Sequence, residues 1–422
     1  MTSVTADQAR TRFLILEALR WFPTGLLLPV FALLPIERGL SLAQLGLAAA
    51  VQGAVVLALE LPTGGLSDSL GRRPVLLAAG VLSLASLGLL FAADSFALFA
   101  AAFAVQGGYR ALDSGPLQAW YVDASLAAEP DRNVTGGLSA GATVTGLTIA
   151  AGALSGAGLV ALDPLQRVEP LATPVLAAGV VQIAALLAVG VLITEVRSTR
   201  GRRAVLRSVA AVPRIIGGSV SLLRGSHILA ALVGVELFWG FGMVTFEVLM
   251  PIRLAEVTGS SGDAAALMGP AGAGAWAAAA AGAAIAGLAA RRFSIALTAA
   301  ALRVIQGITV ATMAVFAGPV GIVAAYLATY AVHGGSSPLH HSLLHQQVTS
   351  EHRTTVLSLN SMVAQPAYAA GLVVLTALAD GTSVRLAIIC GAVVLALAAP
   401  LYLPAWRANR DQARHEVVTV VG

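Results

Sequence analysis

Apolar stretches of about twenty residues or more recur twelve times along this chain, and a water-soluble fold has nowhere to put them. They run over 13–36, 42–66, 74–93, 95–124, 134–161, 173–194, 228–254, 264–290, 294–317, 319–347, 354–379 and 384–404. A helix rising 1.5 Å per residue needs about twenty residues to cross the ~30 Å hydrocarbon core of a bilayer. The runs are continuously apolar, longer than barrel strands, and lack the alternation of a barrel wall. Helical spans are therefore expected. Composition agrees: 57% of residues are apolar and 11% charged, against roughly 25% charged in a soluble domain. The 44 glycines and runs such as Ala277–Ala281 suit helices that approach closely in lipid, where packing drives association.

The net charge of +4 comes from arginine alone among the basic residues. These arginines sit in short loops between the apolar runs, which excludes a nucleic-acid surface and points to membrane topology. With the N-terminus placed in the cytoplasm, eighteen arginines fall in inside loops and tails. Only Arg38, Arg167, Arg253 and Arg385 fall outside, as the positive-inside rule requires. The bias predicts a multi-pass protein of the bacterial inner membrane with both termini cytoplasmic. The first run carries Glu17 and Arg20 and is too long for a signal peptide. The single cysteine, Cys390, excludes an intrachain disulfide or a cysteine-based metal site and reads as a packing residue.

Four regions are expected: a six-helix half over 1–195, a basic linker over 196–226, a second six-helix half over 227–405, and a cytoplasmic tail over 406–422. In the linker, Val205, Leu206, Val209, Val212, Ile215 and Ile216 recur at roughly helical spacing among seven arginines. An amphipathic helix on the anionic leaflet fits this pattern; a linker kept soluble by its charge fits it too.

The halves resemble each other. Ser114-Gly115-Pro116-Leu117 matches Ser336-Ser337-Pro338-Leu339, and Asp123 then matches His345. Glu17 precedes Trp21 as Glu236 precedes Trp239. Pro35-Ile36 closes the first span and Pro251-Ile252 the seventh. Transporters built from such repeats bind substrate between the halves near the midplane.

The loop between the second and third spans reads Gly64-Gly65-Leu66-Ser67-Asp68-Ser69-Leu70-Gly71-Arg72-Arg73-Pro74. It resembles the signature loop of the major facilitator superfamily, departing at Ser69, where the family often has a basic residue. A remnant, Gly287 to Arg292, follows the eighth span without the acid. The fourth span, Gln106 to Pro116, is similar to that of proton-linked members, but its Arg110 follows the Gln-Gly pair instead of preceding it. The fifth span has spaced glycines without the Gly-Pro pair of antiporters. The resemblance implies an all-α membrane protein of twelve transmembrane helices in two pseudo-symmetric halves. It also implies a monomeric transporter for a small-molecule substrate and protons, set in membrane lipid, driven by the proton motive force without a cofactor. By the same resemblance Gly64, Asp68, Gly71, Arg72, Arg73 and Asp123 form a cytoplasmic gate, and spans 1, 4, 7 and 10 line a cavity.

Charges at membrane depth cost roughly 2.5–3.5 kcal/mol each on insertion scales, so they are expected to face a partner or a wet cavity. Glu17 and Arg20 are three apart on span 1, as are Arg110 and Asp113 on span 4; each pair shares a helix face. Glu60 lies about 12 Å deeper than Asp68 by helix rise, with no basic residue near it in sequence. Glu236 and Glu247 lie on span 7, and His333 on span 10. These residues are candidates for proton coupling or the cavity, with local ion pairing as the alternative. Arg303 on span 9 is expected to support structure. His341 and His345 are one turn apart but lack further ligands for a metal. Trp21, Tyr109, Trp239 and Phe241 are candidate cavity aromatics, with simple packing as the other reading. The breaks at Pro23-Thr24-Gly25, Pro62-Thr63-Gly64, Gly269-Pro270 and Gln365-Pro366 are expected to kink helices. A cavity with aromatic walls and nearby acids suits proton-coupled export of an amphiphilic or hydrophobic solute. Uptake of a small solute, or a receptor or assembly factor on the same scaffold, are the alternatives. No catalytic or nucleotide-binding motif is present, so an enzyme is not expected.

Overall fold

A computed structural model describes residues 4–64, 70–194, 217, 221–348 and 353–410, with the side chains of 60–64, 353–355 and 358 not described. Among the described residues every regular element is helical, and the helices form twelve spans in the expected order. Span 1 comprises Ala6–Leu27 and Leu33–Glu37; spans 2 and 3 are Leu42–Gly64 and Arg72–Ala92. Span 4 comprises Phe96–Asp113 and Pro116–Ala128; spans 5 and 6 are Thr135–Leu162 and Thr173–Leu192. Span 7 comprises His227–Val244 and Met250–Thr258, joined by a π-helical turn at Thr245–Leu249. Spans 8 to 12 are Ser261–Phe293, Ile295–Val315, Pro319–Gln346, Arg353–Gly381 and Val384–Leu397. Asp68, the linker residues expected to form an amphipathic helix and residues 411–422 of the tail lie outside the described residues.

Among the described residues, nine of the helices are long and apolar enough to cross a membrane. Spans 1, 4 and 10 are the ones that fall short. They carry the ion pairs, a break at Ser114–Gly115, and the histidines, so polarity concentrates on them.

The chain divides into two compact units, Met1–Val212 with Gly259–Ala273 and Pro213–Thr258 with Gly274–Gly422. Within the first, small residues set the crossings. A Cβ on Gly25 would lie 2.5 Å from the carbonyl oxygen of Ile149, and one on Gly152 would lie 2.6 Å from that of Phe22. The spaced glycines of span 5 are thus the surface on which span 1 packs. Gly107 of span 4 brings that span against Gln52 and Val55 of span 2. The second unit repeats the scheme: Gly240 of span 7 meets Ala364 and Ala367 of span 11, and Gly334 of span 10 meets Ala279 of span 8.

The loops at one end of each unit are clamped alike. Arg38, just after Pro35-Ile36, bonds Glu169 at 2.8 Å and donates to the carbonyls of Leu90, Phe91 and Ala93 at the end of span 3. Those carbonyls have no partner within their helix, and a cation there also complements the helix dipole. Arg253, just after Pro251-Ile252, bonds Glu256 at 2.9 Å and donates to the carbonyl of Phe316 at the end of span 9. The repeated Pro-Ile pair marks a repeated structural joint.

Candidate functional site

At the other end of the first unit the arginines tie loops to helix ends. Gly71 takes a φ of 99°, a left-handed conformation that favours glycine, and so opens span 3. Arg72 pairs with Asp123 at 3.1 Å, and Arg73 donates to the carbonyl of Gly190. Arg12 donates to the carbonyl of Leu192 at 2.9 Å, and Arg132 joins Asp7 to Glu129. The hydrogen bonds to Asp7 and Glu129 hold the Arg132 guanidinium above its ordinary pKa. Asp123 and Arg72, both expected at a gate, therefore meet, and Gly64 ends span 2.

Deeper in this unit, Arg20 is the hub. Its Nε donates to Asp113 Oδ2, its Nη2 donates to the Asp113 carbonyl at 3.0 Å, and its Nη1 lies 3.7 Å from Glu17 Oε2. The guanidinium also sits 5.1 Å from the centre of the Trp21 ring, within cation–π range. Glu17 and Asp113 are buried. The expected pairing of Glu17 with Arg20 is present, but Asp113 is met by Arg20 across the spans, and Arg110 is exposed. The reason is geometric: span 4 breaks directly after Asp113 at Gly115, whose φ is 95°, and the buried carboxylate faces span 1. A cavity of about 40 Å³ adjoins the pair, lined by Arg20, Tyr109, Asp113 and Gln182 among apolar neighbours. It has room for a water or two. Glu17 Oε2 is buried without a hydrogen bond. Glu60 lies on span 2, and its side chain is outside the described residues.

The second unit holds a different cluster. His340 of span 10 places Nε2 3.2 Å from Glu236 Oε1 of span 7 and 3.2 Å from Asn360 Oδ1 of span 11. Its Nδ1 lies 3.0 Å from the Tyr402 hydroxyl beyond span 12. Two acceptors at Nε2 and a hydroxyl at Nδ1 assign the tautomer: Nε2–H donates and Nδ1 accepts. Arg303 of span 9 donates to Gln306 at 2.9 Å and acts electrostatically on Glu236, His340 and Tyr402. All six side chains are buried. Arg303 Nε and Gln306 Nε2 make no hydrogen bond.

Sequence reasoning named Glu236, grouped His340 with the histidines at the cytoplasmic end of span 10, passed over Asn360 and Tyr402, and gave Arg303 a supporting role only. The available signal was weak: single polar residues in apolar runs, and Arg303 and Gln306 three apart on one face. The side chains come from four spans and the turn after span 12, and no spacing within one helix reports that.

Above this cluster lies an aromatic group. The rings of Trp239 and His333 stack 5.5 Å apart at 7°, and Trp239 Nε1 donates to His333 Nδ1 at 3.4 Å. Phe246 and Tyr330 meet edge to face at 5.5 Å, and Tyr326 packs on Tyr330 at 4.8 Å. Phe246 and Glu247 sit in the π-helical turn of span 7, a device that re-aims side chains and is frequent at functional sites. Glu247 is exposed and accepts a hydrogen bond from Tyr368 at 3.0 Å. Of the expected cavity aromatics, Trp239 joins this group. Trp21 serves Arg20, Tyr109 lines the small cavity, and Phe241 packs its backbone on Gly371. Trp120 is core, fully buried with its indole N–H on the carbonyl of Thr194.

A family model described as Major Facilitator Superfamily matches residues 13–364. Among solved structures, the nucleoside transporter NupG superposes with a TM-score of 0.76 at 10% identity, covering 94% of this chain and 99% of that one. A bacterial homologue of the human lysosomal transporter Spinster gives 0.75 at 14% identity, covering 94% and 96%. The human organic anion transporter MFSD10 (TETRAN) gives 0.61 at 16%, covering 94% and 99%. At these identities the likeness establishes the fold alone. No curated protein sequence matches the chain.

Proposed function

The chain belongs to the major facilitator superfamily and is a multi-pass membrane transporter, and from that premise we propose that it couples proton movement to export of a small amphiphilic, aromatic solute by alternating access. The observation that carries the coupling is the buried contact between Glu236 and His340. With Nε2–H of His340 on the carboxylate, one proton can be taken up by Glu236 or at Nδ1 of His340 and released again, changing the charge of the buried pair by one without breaking its contact. Arg303 stands in the same cluster and acts electrostatically on Glu236. Arg20 holds Asp113 through both its carboxylate and its backbone carbonyl, a contact fixed at two points. The coupling role therefore passes from Asp113 to Glu236, with Glu17 as a second acid whose Oε2 lacks a hydrogen bond.

The solute class rests on the aromatic group. Trp239, His333 and Tyr330 are only partly covered, so ring faces remain for a planar partner, and the exposed Glu247 lies in the neighbouring turn. Aromatic faces beside a carboxylate suit a solute with an apolar plane and a positive or hydrogen-bond-donating end. In this reading the protein works as a monomer in the bacterial inner membrane with both termini cytoplasmic. The six-span halves 1–195 and 227–405 are joined by the linker 196–226.

The test is accumulation of fluorescent and drug-like compounds in cells lacking their own pumps, with and without a protonophore. Lower accumulation that the protonophore abolishes, and that Glu236→Gln also abolishes, is the expected result. Higher accumulation under a proton gradient would reverse the direction to uptake. Protonophore-insensitive transport would remove the coupling.

A further inference from the structure

Spans 8 and 9 of the second unit are joined through a single residue, Ser294, yet they part along their length. The groove between them has a volume of about 560 Å³. Gly282 to Phe293 of span 8 form one wall, Leu297 to Ile305 of span 9 the other, and Ala331 and Val332 of span 10 the floor. The floor is reached because Gly282 lets span 8 lie directly on the backbone of Ala331. No charged side chain lines the groove, and its one hydroxyl belongs to Thr298. Thr298 is 7% exposed, and its Oγ1 has no hydrogen bond.

Three features lie in order along this groove. At its Phe293 end stands Arg292, one helical turn past the lining residue Ala289, while Arg291 lies on the opposite face of span 8; Arg292 is exposed and without an ion-pair partner among the described residues. Beside it begins span 9, whose Ser294 cap satisfies only the N–H of Leu297, leaving a helix N-terminus that favours an anion. One turn deeper sits the unpartnered Thr298 hydroxyl. Beyond it the lining is hydrocarbon for the rest of the eleven residues between Phe293 and Gly282, about 16 Å by helix rise. That length is about half of the ~30 Å bilayer core, the depth of one leaflet.

Anion site, hydroxyl donor and one leaflet of apolar wall match the order of phosphate, ester and acyl chain. We propose that this groove is a binding site for one anionic phospholipid: its phosphate on Arg292 and the N-terminus of span 9, an ester carbonyl accepting from Thr298, and a chain between spans 8 and 9. His333, which stacks on Trp239, follows directly after the floor residues, so a bound chain would steady the helix that carries the aromatic group.

The experiment is native mass spectrometry of the purified full-length protein titrated with phosphatidylglycerol or phosphatidylcholine of the same chain length. Wild type is expected to retain one phosphatidylglycerol more tightly than phosphatidylcholine. Replacing Arg292→Gln should weaken phosphatidylglycerol retention about five-fold, Arg291→Gln on the opposite face should not, and both should leave phosphatidylcholine unchanged. Ala301→Phe, which fills the groove, should remove the retained lipid; Thr298→Val, a smaller change, guards against a packing failure and should weaken retention by a few-fold. Equal retention of both lipids in wild type and the arginine variants would overturn the proposal. So would retention unaffected by Ala301→Phe in a protein that still elutes as a single species, or a dimer replacing the lipid-bound form.

Discussion

Spans 4 and 10 carry the same Ser-x-Pro-Leu sequence and do opposite things with it. In span 4 the helix stops at Asp113, Gly115 turns left-handed, and a new helix starts at Pro116. In span 10 the helix runs unbroken through Pro338. The difference is one residue: glycine adopts a positive φ freely, whereas Ser337 in its place does not. The break leaves the last turn of Phe96–Asp113 open beside Arg20, which takes both the side chain and the backbone carbonyl of Asp113. The continuous helix of span 10 instead carries His333 and His340 on one rod, linking the aromatic group to the buried polar cluster. On the proposed reading, a fixed ion pair in one unit and a proton-binding carboxylate–imidazole pair in the other divide the labour between halves that share this local sequence.

The sharpest way to break this contrast is Asp113→Ala. It leaves Arg20 in a buried site without its main partner, and removing one member of a buried pair costs about 3–5 kcal/mol. A large drop in thermal unfolding temperature in detergent is expected; an unchanged one would show that the pair carries no structural weight. Glu236→Gln should separate the halves functionally. It keeps a hydrogen-bonding oxygen beside His340, so stability should change by about 1 kcal/mol at most, while proton-driven transport falls at least about ten-fold. Equal loss of stability and transport would make the second cluster a structural one as well. Gly115→Ala should cost about 1–2 kcal/mol by forcing a left-handed alanine, whereas Ser337→Gly should cost about 0.5 kcal/mol from helix propensity. A silent Gly115→Ala would mean the break is set elsewhere. The smallest effect is expected at Trp239→Leu, which removes a stacked partner worth roughly 0.5–1.5 kcal/mol. It should raise the apparent KM several-fold with the fold intact.

Much of the architecture was readable beforehand, for reasons specific to membranes. Lipid demands a minimum apolar length and closes every backbone hydrogen bond within a helix, so twelve spans could be counted from the chain. Other features were legible in part. The glycines of span 5 were visible, but their use as the bed for span 1 was not. The pairing of Glu17 with Arg20 followed from spacing, while the pairing of Asp113 with Arg110 did not survive, because Arg20 approaches from another helix. Trp120 looked like Trp239 in sequence, yet one is sealed in the core and the other stacks on His333.

By itself, then, the sequence determined the number of spans, their helical nature, and the order of matching motifs in the two halves, the Pro-Ile pairs among them. Each of these depends on length, polarity or order along one helix, which the bilayer and the backbone read directly. Only the tertiary structure decided that Arg20 belongs to Asp113, that His340 gathers Glu236, Asn360 and Tyr402, and that a groove opens between spans 8 and 9. Those outcomes turn on how each helix is rotated about its own axis. Small-residue crossings such as Gly25 on Gly152 and Gly282 on Ala331 set that rotation, and they involve residues far apart in the chain.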